Sequence, residues 1–251
     1  MLILLPPSEG KAPGGTGPPL DLDALSFPAL TAVRRRLVTH VQALAATQPD
    51  VLRVALGVSE RQADAVAADA VLSTSPTLRA HARYTGVLFE ALGYRTLAPA
   101  ARRRANGSLL VCSALLGLVR PTDRIPSYRL SGATVLPGLG GLAPLWRPVL
   151  EPELAAASGL VVDLRSGAYA ALAKVPGAVE VRVLREVDGR RTVVSHDNKY
   201  TKGLLARVLC EAGARTVADV AAAGRSVADD VDVDGRRIDL VLHGLATARA
   251  T

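Results

Sequence analysis

CSALLGLVRPTDRIPSYRLSG, residues Cys112 to Gly132, is the stretch around which the chain is organised. An apolar run from Leu109 to Leu116 ends at Gly117, and Arg120, Asp123, Arg124, Tyr128 and Arg129 follow on a backbone punctuated by Pro121 and Pro126. Each proline fixes its own φ and pushes the residue before it, Arg120 or Ile125, out of the α region. The segment therefore reads as a buried strand, Leu109 to Leu115, that runs into a stiff extended loop carrying polar groups. Loops on a rigid scaffold place side chains well.

Working outward, the other apolar runs behave alike. Met1 to Leu5 is a short buried strand that stops at Pro6-Pro7 and opens into a loop with Ser8, Glu9 and Lys11. The glycines that follow, in GKAPGGTG, resemble a phosphate loop but lack its Gly-Lys-Ser/Thr ending and run into no helix. Leu160 to Leu164 is a third strand, with Arg165, Ser166 and Tyr169 just beyond it. Polar groups at the carboxyl ends of core strands are where ligands of α/β sheets sit. Two hairpins are predicted at Asp188-Gly189 and Asp234-Gly235, so antiparallel strands are present as well.

Helices are expected between these strands. Pro28 starts one in which Leu30, Val33, Leu37, Val41 and Leu44 recur at helical spacing; Arg34, Arg35 and Arg36 read as its solvated face. Ser59 with Gln62 forms a capping box ahead of Ala63, Val66, Ala67 and Ala70. Gly86, in Arg83-Tyr84-Thr85-Gly86, sits at a helix entrance or a close backbone approach. Val135 to Gly140 resembles the hairpin of a helix-hairpin-helix, but no helix precedes it, so it reads as a plain turn into a helix with Trp146 as a core anchor. Residues 195–203 lead into a helix with Leu204, Leu205, Val208 and Leu209, and a shorter one spans about Val217 to Ala223. With neither repeat nor linker, the reading is one α+β domain over residues 1–251, a central mixed sheet with hairpins and surrounding helices.

Charge and composition narrow the function. The net charge of +7 suits an anionic partner, either nucleic acid or a small anion. Only four basic residues are lysines, Lys11, Lys174, Lys199 and Lys202, in a chain rich in arginine. Such lysines mark places where a compact, titratable ammonium does what a planar fork cannot. Cys112 and Cys210 lie in separate apolar segments, which predicts buried thiols, no zinc site and no cofactor. The start lacks a secretory signal and no apolar run approaches the ~18 residues of a membrane span, so a cytoplasmic protein with no membrane partner is expected.

The candidate chemistry lies in the polar clusters. Lys11, Arg120, Asp123, Tyr128, Arg129, Lys199 and Lys202 are the candidate catalytic residues; Ser8, Glu9, Tyr84, Arg165, Ser166, Tyr169 and Asn198 are candidates for holding a ligand or DNA. If they converge they form an anion-binding cleft, with Asp123 pairing one arginine to hold its fork. Ser8 with Lys11, or Lys199 with Lys202, would supply an activated nucleophile or a Schiff-base amine. Ser195 and His196 point to opposite faces if they lie on a strand, which argues against a hydrolase pair.

MLILLPPSEGK, the YTG element at Tyr84 to Gly86, SALLGLVRPTDRIPSYRL, Leu145-Trp146, DLRSGAY and NKYTKGLLAR together resemble the YaaA family of bacterial peroxide-stress proteins. They stand in family order along nearly the whole chain. The first loop departs from the family's form, which leaves the alignment of Lys11 open by about two residues. The resemblance implies a single-domain fold peculiar to the family, non-specific duplex DNA binding through a basic cleft, and a part in limiting iron-driven damage under hydrogen peroxide. The alternative is an enzyme acting on a small anionic or nucleotide-like substrate in that cleft.

Overall fold

The computed structural model describes residues 1–193 and 195–244, with the backbone alone at 195–197. The expectation about the Ser195 and His196 side chains therefore lies outside the described residues. Strands are β1 (Leu2–Leu5), β2 (Leu78–Arg79), β3 (Leu109–Ser113), β4 (Gly117–Val119), β5 (Arg124–Ile125), β6 (Val135–Leu136), β7 (Gly140–Gly141), β8 (Val161–Asp163), β9 (Val179–Val187), β10 (Arg190–Val193), β11 (Asp230–Asp234) and β12 (Arg237–His243). Helices are α1 (Thr31–Thr47), α2 (Pro49–Leu56), α3 (Ala63–Ala70), α4 (Ala80–Arg83), α5 (Val87–Leu92), α6 (Pro99–Ser108), α7 (Ala143–Ala155), α8 (Gly167–Ala170), α9 (Ser195–Ala212) and α10 (Val217–Gly224).

A mixed sheet of eight strands forms the centre, in the order β11-β12-β9-β8-β1-β3-β4 with β10 folded onto β9. β1 lies inside it, parallel to β3 on one side (Ile3 opposite Leu109) and to β8 on the other (Leu2 opposite Val161). Ile3, Leu4 and Leu5 are buried, as an unbroken apolar run must be when both sheet faces are covered. The chain leaves β1 for β3 on one side and later returns to β8 on the other, so the sheet order reverses at β1. The crevice beyond its carboxyl end is the natural ligand position of such a sheet. β4 and β11 close the edges antiparallel to their neighbours. The first hairpin turns at Asp188-Gly189 with positive φ at both residues. The second turns one residue later than expected, at Gly235-Arg236 between paired Asp234 and Arg237.

Long-range packing explains several sequence features. α9 buries Leu205, Ala206, Leu209 and Cys210 completely. Its Gly203 lets the helix meet α5 backbone to backbone, since a Cβ there would stand 2.3 Å from the Leu88 carbonyl oxygen. The capping box forms at Ser59 and Gln62 and leads through a short 3-10 turn into α3. Val135 to Gly141 is a small ribbon of β6 and β7 that enters α7 as a plain turn. Trp146 is fully buried and donates its indole N–H to the Ala114 carbonyl at 2.7 Å. No described helix is long and apolar enough to cross a membrane.

Two expectations are corrected. The run 109–116 is not one strand: β3 stops at Ser113 and the chain turns back at Gly117 (φ 69) into β4. A side chain at 117 would press on the Trp146 ring, 2.7 Å from a Cβ. Arg35 and Arg36 are solvated, but Arg34 is completely buried. It donates to the carbonyls of Ser26 (2.7 Å), Leu116 (2.8 Å), Leu118 (2.8 Å) and Phe27 (3.2 Å), tying the β3–β4 turn to the segment that enters α1. The glycine-rich segment is a packed strap. Arg83 donates to the carbonyls of Ala12, Gly14 (2.8 Å) and Pro76 (3.2 Å), and a Cβ on Gly15 would stand 2.6 Å from the Pro76 carbonyl oxygen.

Candidate active site

Beyond the carboxyl ends of β1 and β3 the chain builds a line of neutral hydroxyls. Ser113, the last residue of β3, accepts the Leu116 N–H on Oγ at 2.9 Å and stands 2.7 Å from the Tyr128 hydroxyl. The Tyr128 and Tyr84 hydroxyls are 2.9 Å apart. Both phenols are buried, and desolvation pushes them well above their ordinary range, so both stay protonated at neutral pH. The YTG element is explained by this geometry. Tyr84 points inward, the Thr85 N–H donates to Ser8 Oγ at 3.1 Å, and Gly86 (φ 91) caps α5.

Lys11 lies on this aromatic floor. Its Nζ donates to the Ser8 carbonyl at 3.0 Å and stands 4.0 Å from the Tyr128 ring centroid and 5.6 Å from that of Tyr84. Burial, then the Arg129 guanidinium, lower its pKa to about 7 against the pull of Asp69 and Glu9. The ring faces favour an ammonium by only ~1 kcal/mol, less than one pKa unit, so they do not reverse the shift. Asp69, on α3, is fully buried. Its Oδ1 accepts the Arg129 backbone N–H at 2.9 Å, whereas Oδ2 has no partner. Desolvation raises this carboxyl to about 7, opposed by the Arg129 N–H and by Lys11. Lys11 and Asp69 thus titrate together near neutral pH and behave as a coupled pair. At the solvent side, the Arg129 guanidinium meets the exposed Glu9 carboxylate at 3.1 Å.

Asp69 was not among the residues read from the sequence. Its signal is a carboxylate on the buried stripe of α3, one turn after Val66, in a helix otherwise made of alanine and valine on that face.

Behind the tyrosines lies a second cationic group. Arg165 grips Asp163 through two bonds of 2.7 and 2.9 Å and donates to the Tyr169 carbonyl at 3.3 Å. Its fork is thus occupied. Lys202, on α9, is buried beside it with Nζ 3.5 Å from the Arg165 carbonyl; burial lowers its pKa to about 8, partly offset by Asp163. The Cys112 thiol, buried at the same place, is pushed up to about 12. Tyr169 is half-buried, its phenol raised by desolvation against hydrogen bonds from Gly132 and Ser131.

The expected convergence is therefore partial. Lys11, Ser8, Glu9, Tyr84, Tyr128 and Arg129 come together, with Arg165, Tyr169 and Lys202 behind them. Arg120 goes elsewhere: it donates to the carbonyls of Gly107 (2.9 Å) and Asn106 (3.2 Å) at the end of α6 and stacks 5.2 Å over Phe27. Asp123 holds no arginine fork. It accepts the Arg120 backbone N–H at 2.8 Å and the Ser26 hydroxyl at 2.8 Å, fixing the turn at Pro121. Lys199 and Ser166 are exposed, and Asn198 is half-buried with Oδ1 unpartnered. Residues 120–129 thus split, the first half bracing α6 and the second half entering the site.

A separate basic patch surrounds His81, whose ring stacks on Tyr94 at 4.2 Å. Burial and the neighbouring Arg95, Arg79 and Arg102 lower the His81 pKa. None of these three exposed arginines has a carboxylate partner among the described residues. A cavity of about 190 Å³ adjoins them, walled by Leu5, Phe89, Leu92, Tyr94 and Leu109. Its walls are largely apolar, and Lys11 and Asp69 lie outside it. No group of three or more described His, Cys, Asp or Glu side chains can hold a metal.

The model of a family described as peroxide stress protein YaaA matches residues 1–226. The chain is 48% identical over 250 residues to a UPF0246 protein of Corynebacterium efficiens, covering 96% of this chain and 99% of the relative. It is 50% identical over 221 residues to a UPF0246 protein of Streptomyces coelicolor, covering 85% and 84% of the two chains. A third, from Corynebacterium glutamicum, is 45% identical over 227 residues, covering 88% and 90%. The conclusion is that this chain belongs to the YaaA family of peroxide stress proteins.

Proposed function

We propose that this peroxide-stress family member is an enzyme of the cytoplasm that acts on a small anionic ligand at Lys11 and Asp69, moving a proton at neutral pH. One observation carries the reading: an amine and a carboxyl, each shifted to about 7, share a desolvated place with one carboxyl oxygen unpartnered. A phosphate track needs solvated, permanently charged cations. Lys11 and Lys202 are partly neutral at physiological pH, and Arg165 is held by Asp163. The site also lies at the reversal point of the sheet, where a ligand of such a fold binds. The test is complementation of a deletion strain under hydrogen peroxide by Lys11→Arg and Asp69→Asn. Rescue equal to wild type by both variants refutes the reading.

A second reading, non-specific binding of duplex DNA that limits iron-driven damage, is favoured by Arg79, Arg95 and Arg102, exposed around His81 with no carboxylate partner among the described residues, and by the net charge of +7. Affinity then falls log-linearly with salt, with about one unit of slope for each phosphate contact made. A salt-independent affinity, or none at ~50 mM salt, refutes it.

A further inference from the structure

We propose that Lys11 Nζ is a nucleophile that forms an imine with the carbonyl carbon of a small 2-oxo acid or aldehyde acid, whose carboxylate is taken by Arg129. The inference rests on the small-anion reading above and names its substrate class.

Imine formation needs an unprotonated amine and an acid in one place at one pH. Lys11 supplies the first: one N–H is committed to the Ser8 carbonyl, and Nζ sits 4.0 Å from the Tyr128 ring centroid rather than against a carboxylate. Asp69 supplies the second. Its Oδ1 is tied to the Arg129 N–H, so the proton-carrying oxygen is the buried, unpartnered Oδ2. The Arg129 guanidinium is the neighbouring permanent cation. Its only side-chain partner among the described residues is the solvent-exposed Glu9, an exchangeable one for a ligand carboxylate. A simple anion-binding lysine would need none of this, because binding an anion favours a charged ammonium. The choice of residue agrees: in a chain where arginine is the usual cation, an arginine here would be unable to lose its proton and attack.

The step balances without an oxidant or reductant. The Lys11 lone pair forms the C–N bond while the carbonyl oxygen takes the Asp69 proton, giving a carbinolamine. The nitrogen then returns a proton to the Asp69 carboxylate. The hydroxyl leaves as water with that proton as the C=N bond forms, and the iminium N–H then gives its proton back to the Asp69 carboxylate. Amine and carbonyl compound become imine and water.

The test is incubation of the full chain with glyoxylate, pyruvate or 2-oxoglutarate and cyanoborohydride at pH 7, followed by intact-mass and peptide mapping. The proposal expects a single adduct on the Lys11 peptide, its loss in Lys11→Arg, and labelling slowed about tenfold in Asp69→Asn. No adduct, or labelling of exposed Lys199 equal to that of Lys11, overturns it. Should either variant fail to fold, the wild-type peptide map alone decides. Oxalate, an anion with no electrophilic carbonyl of this kind, separates the two ideas by thermal shift. Stabilisation by oxalate without an adduct removes the imine and leaves the anion site; neither effect removes both.

Discussion

The Asp69 carboxyl accepts the backbone N–H of Arg129 at 2.9 Å, so α3 is joined to the end of the Arg120–Arg129 motif through an oxygen buried beside its unpartnered twin. A buried carboxyl with half its acceptor capacity unused is costly unless it holds a proton. The raised pKa of about 7 is that adjustment, and it makes Asp69 an acid next to the lowered Lys11 amine.

Asp69→Asn keeps an acceptor for the Arg129 N–H but removes the charge that favours a Lys11 ammonium. The Lys11 pKa is expected to fall further below about 7, read by NMR titration of the labelled lysine. An unchanged or raised value contradicts the pairing.

The pH dependence of folding stability follows from the same shifts. The Asp69 pKa is raised from 3.8 to about 7, so the folded state binds the extra proton and its advantage, full below pH 3.8, is lost as pH rises to 7. The Lys11 pKa is lowered from 10.5 to about 7, so the unfolded state binds more protons between those values and stability rises from pH 7 to 10.5. Wild type should therefore show a stability minimum near pH 7 relative to a Lys11→Met, Asp69→Asn double variant, measured by urea unfolding across pH. A flat difference refutes both shifts.

Tyr128→Phe removes the hydroxyl shared by Ser113 and Tyr84 and leaves both buried groups short of a partner. The expected cost is about 1–3 kcal/mol, a fall in Tm of roughly 2–12 °C for a chain of this size. Calorimetry checks it, and an unchanged Tm contradicts the relay.

Arg34→Met removes the guanidinium donor from the carbonyls of Ser26, Leu116 and Leu118, and one of two donors from that of Phe27, which also accepts the Leu30 N–H. A loss of about 1–3 kcal/mol for each buried carbonyl left without a donor is expected, visible as a lowered urea midpoint. Arg34→Lys should recover little, because one ammonium cannot fan out as the fork does. A near-wild-type midpoint for either variant would show that Arg34 is not a structural clamp.

Much of the fold is legible in the sequence because local rules and burial agree there. The Met1–Leu5 strand, the Asp188-Gly189 hairpin, the Ser59–Gln62 cap and the Trp146 anchor follow from apolar runs, turn chemistry and side-chain volume. Arg34 is not legible, since its triplet looks like any solvated face and only the tertiary position of the β3–β4 turn supplies its carbonyls. The site divides in the same way. Lys11, Tyr128 and Arg129 stand out as polar groups at strand ends, but Asp69 comes from a helix 60 residues away and meets Arg129 only through the fold. Arg120 and Asp123 mislead because a motif contiguous in sequence is cut by the turn at Pro121, which sends its two halves to different partners.

Gly203→Ala examines the α5–α9 contact that places Lys202. An added Cβ would stand 2.3 Å from the Leu88 carbonyl oxygen, so the helices must separate at a cost of about 1–3 kcal/mol. A variant as stable as wild type to urea would contradict this close approach.

The most direct measurement is the titration of Lys11 itself, by reductive ¹³C-methylation of the four lysines and NMR from pH 5 to 11, assigned with Lys11→Arg. The account predicts a resonance moving through its midpoint near pH 7, coupled to Asp69 and shifted to lower pH in Asp69→Asn. A Lys11 midpoint near the ordinary 10.5 would contradict it, leaving a lysine that is a fixed charge rather than the reactive amine of the site.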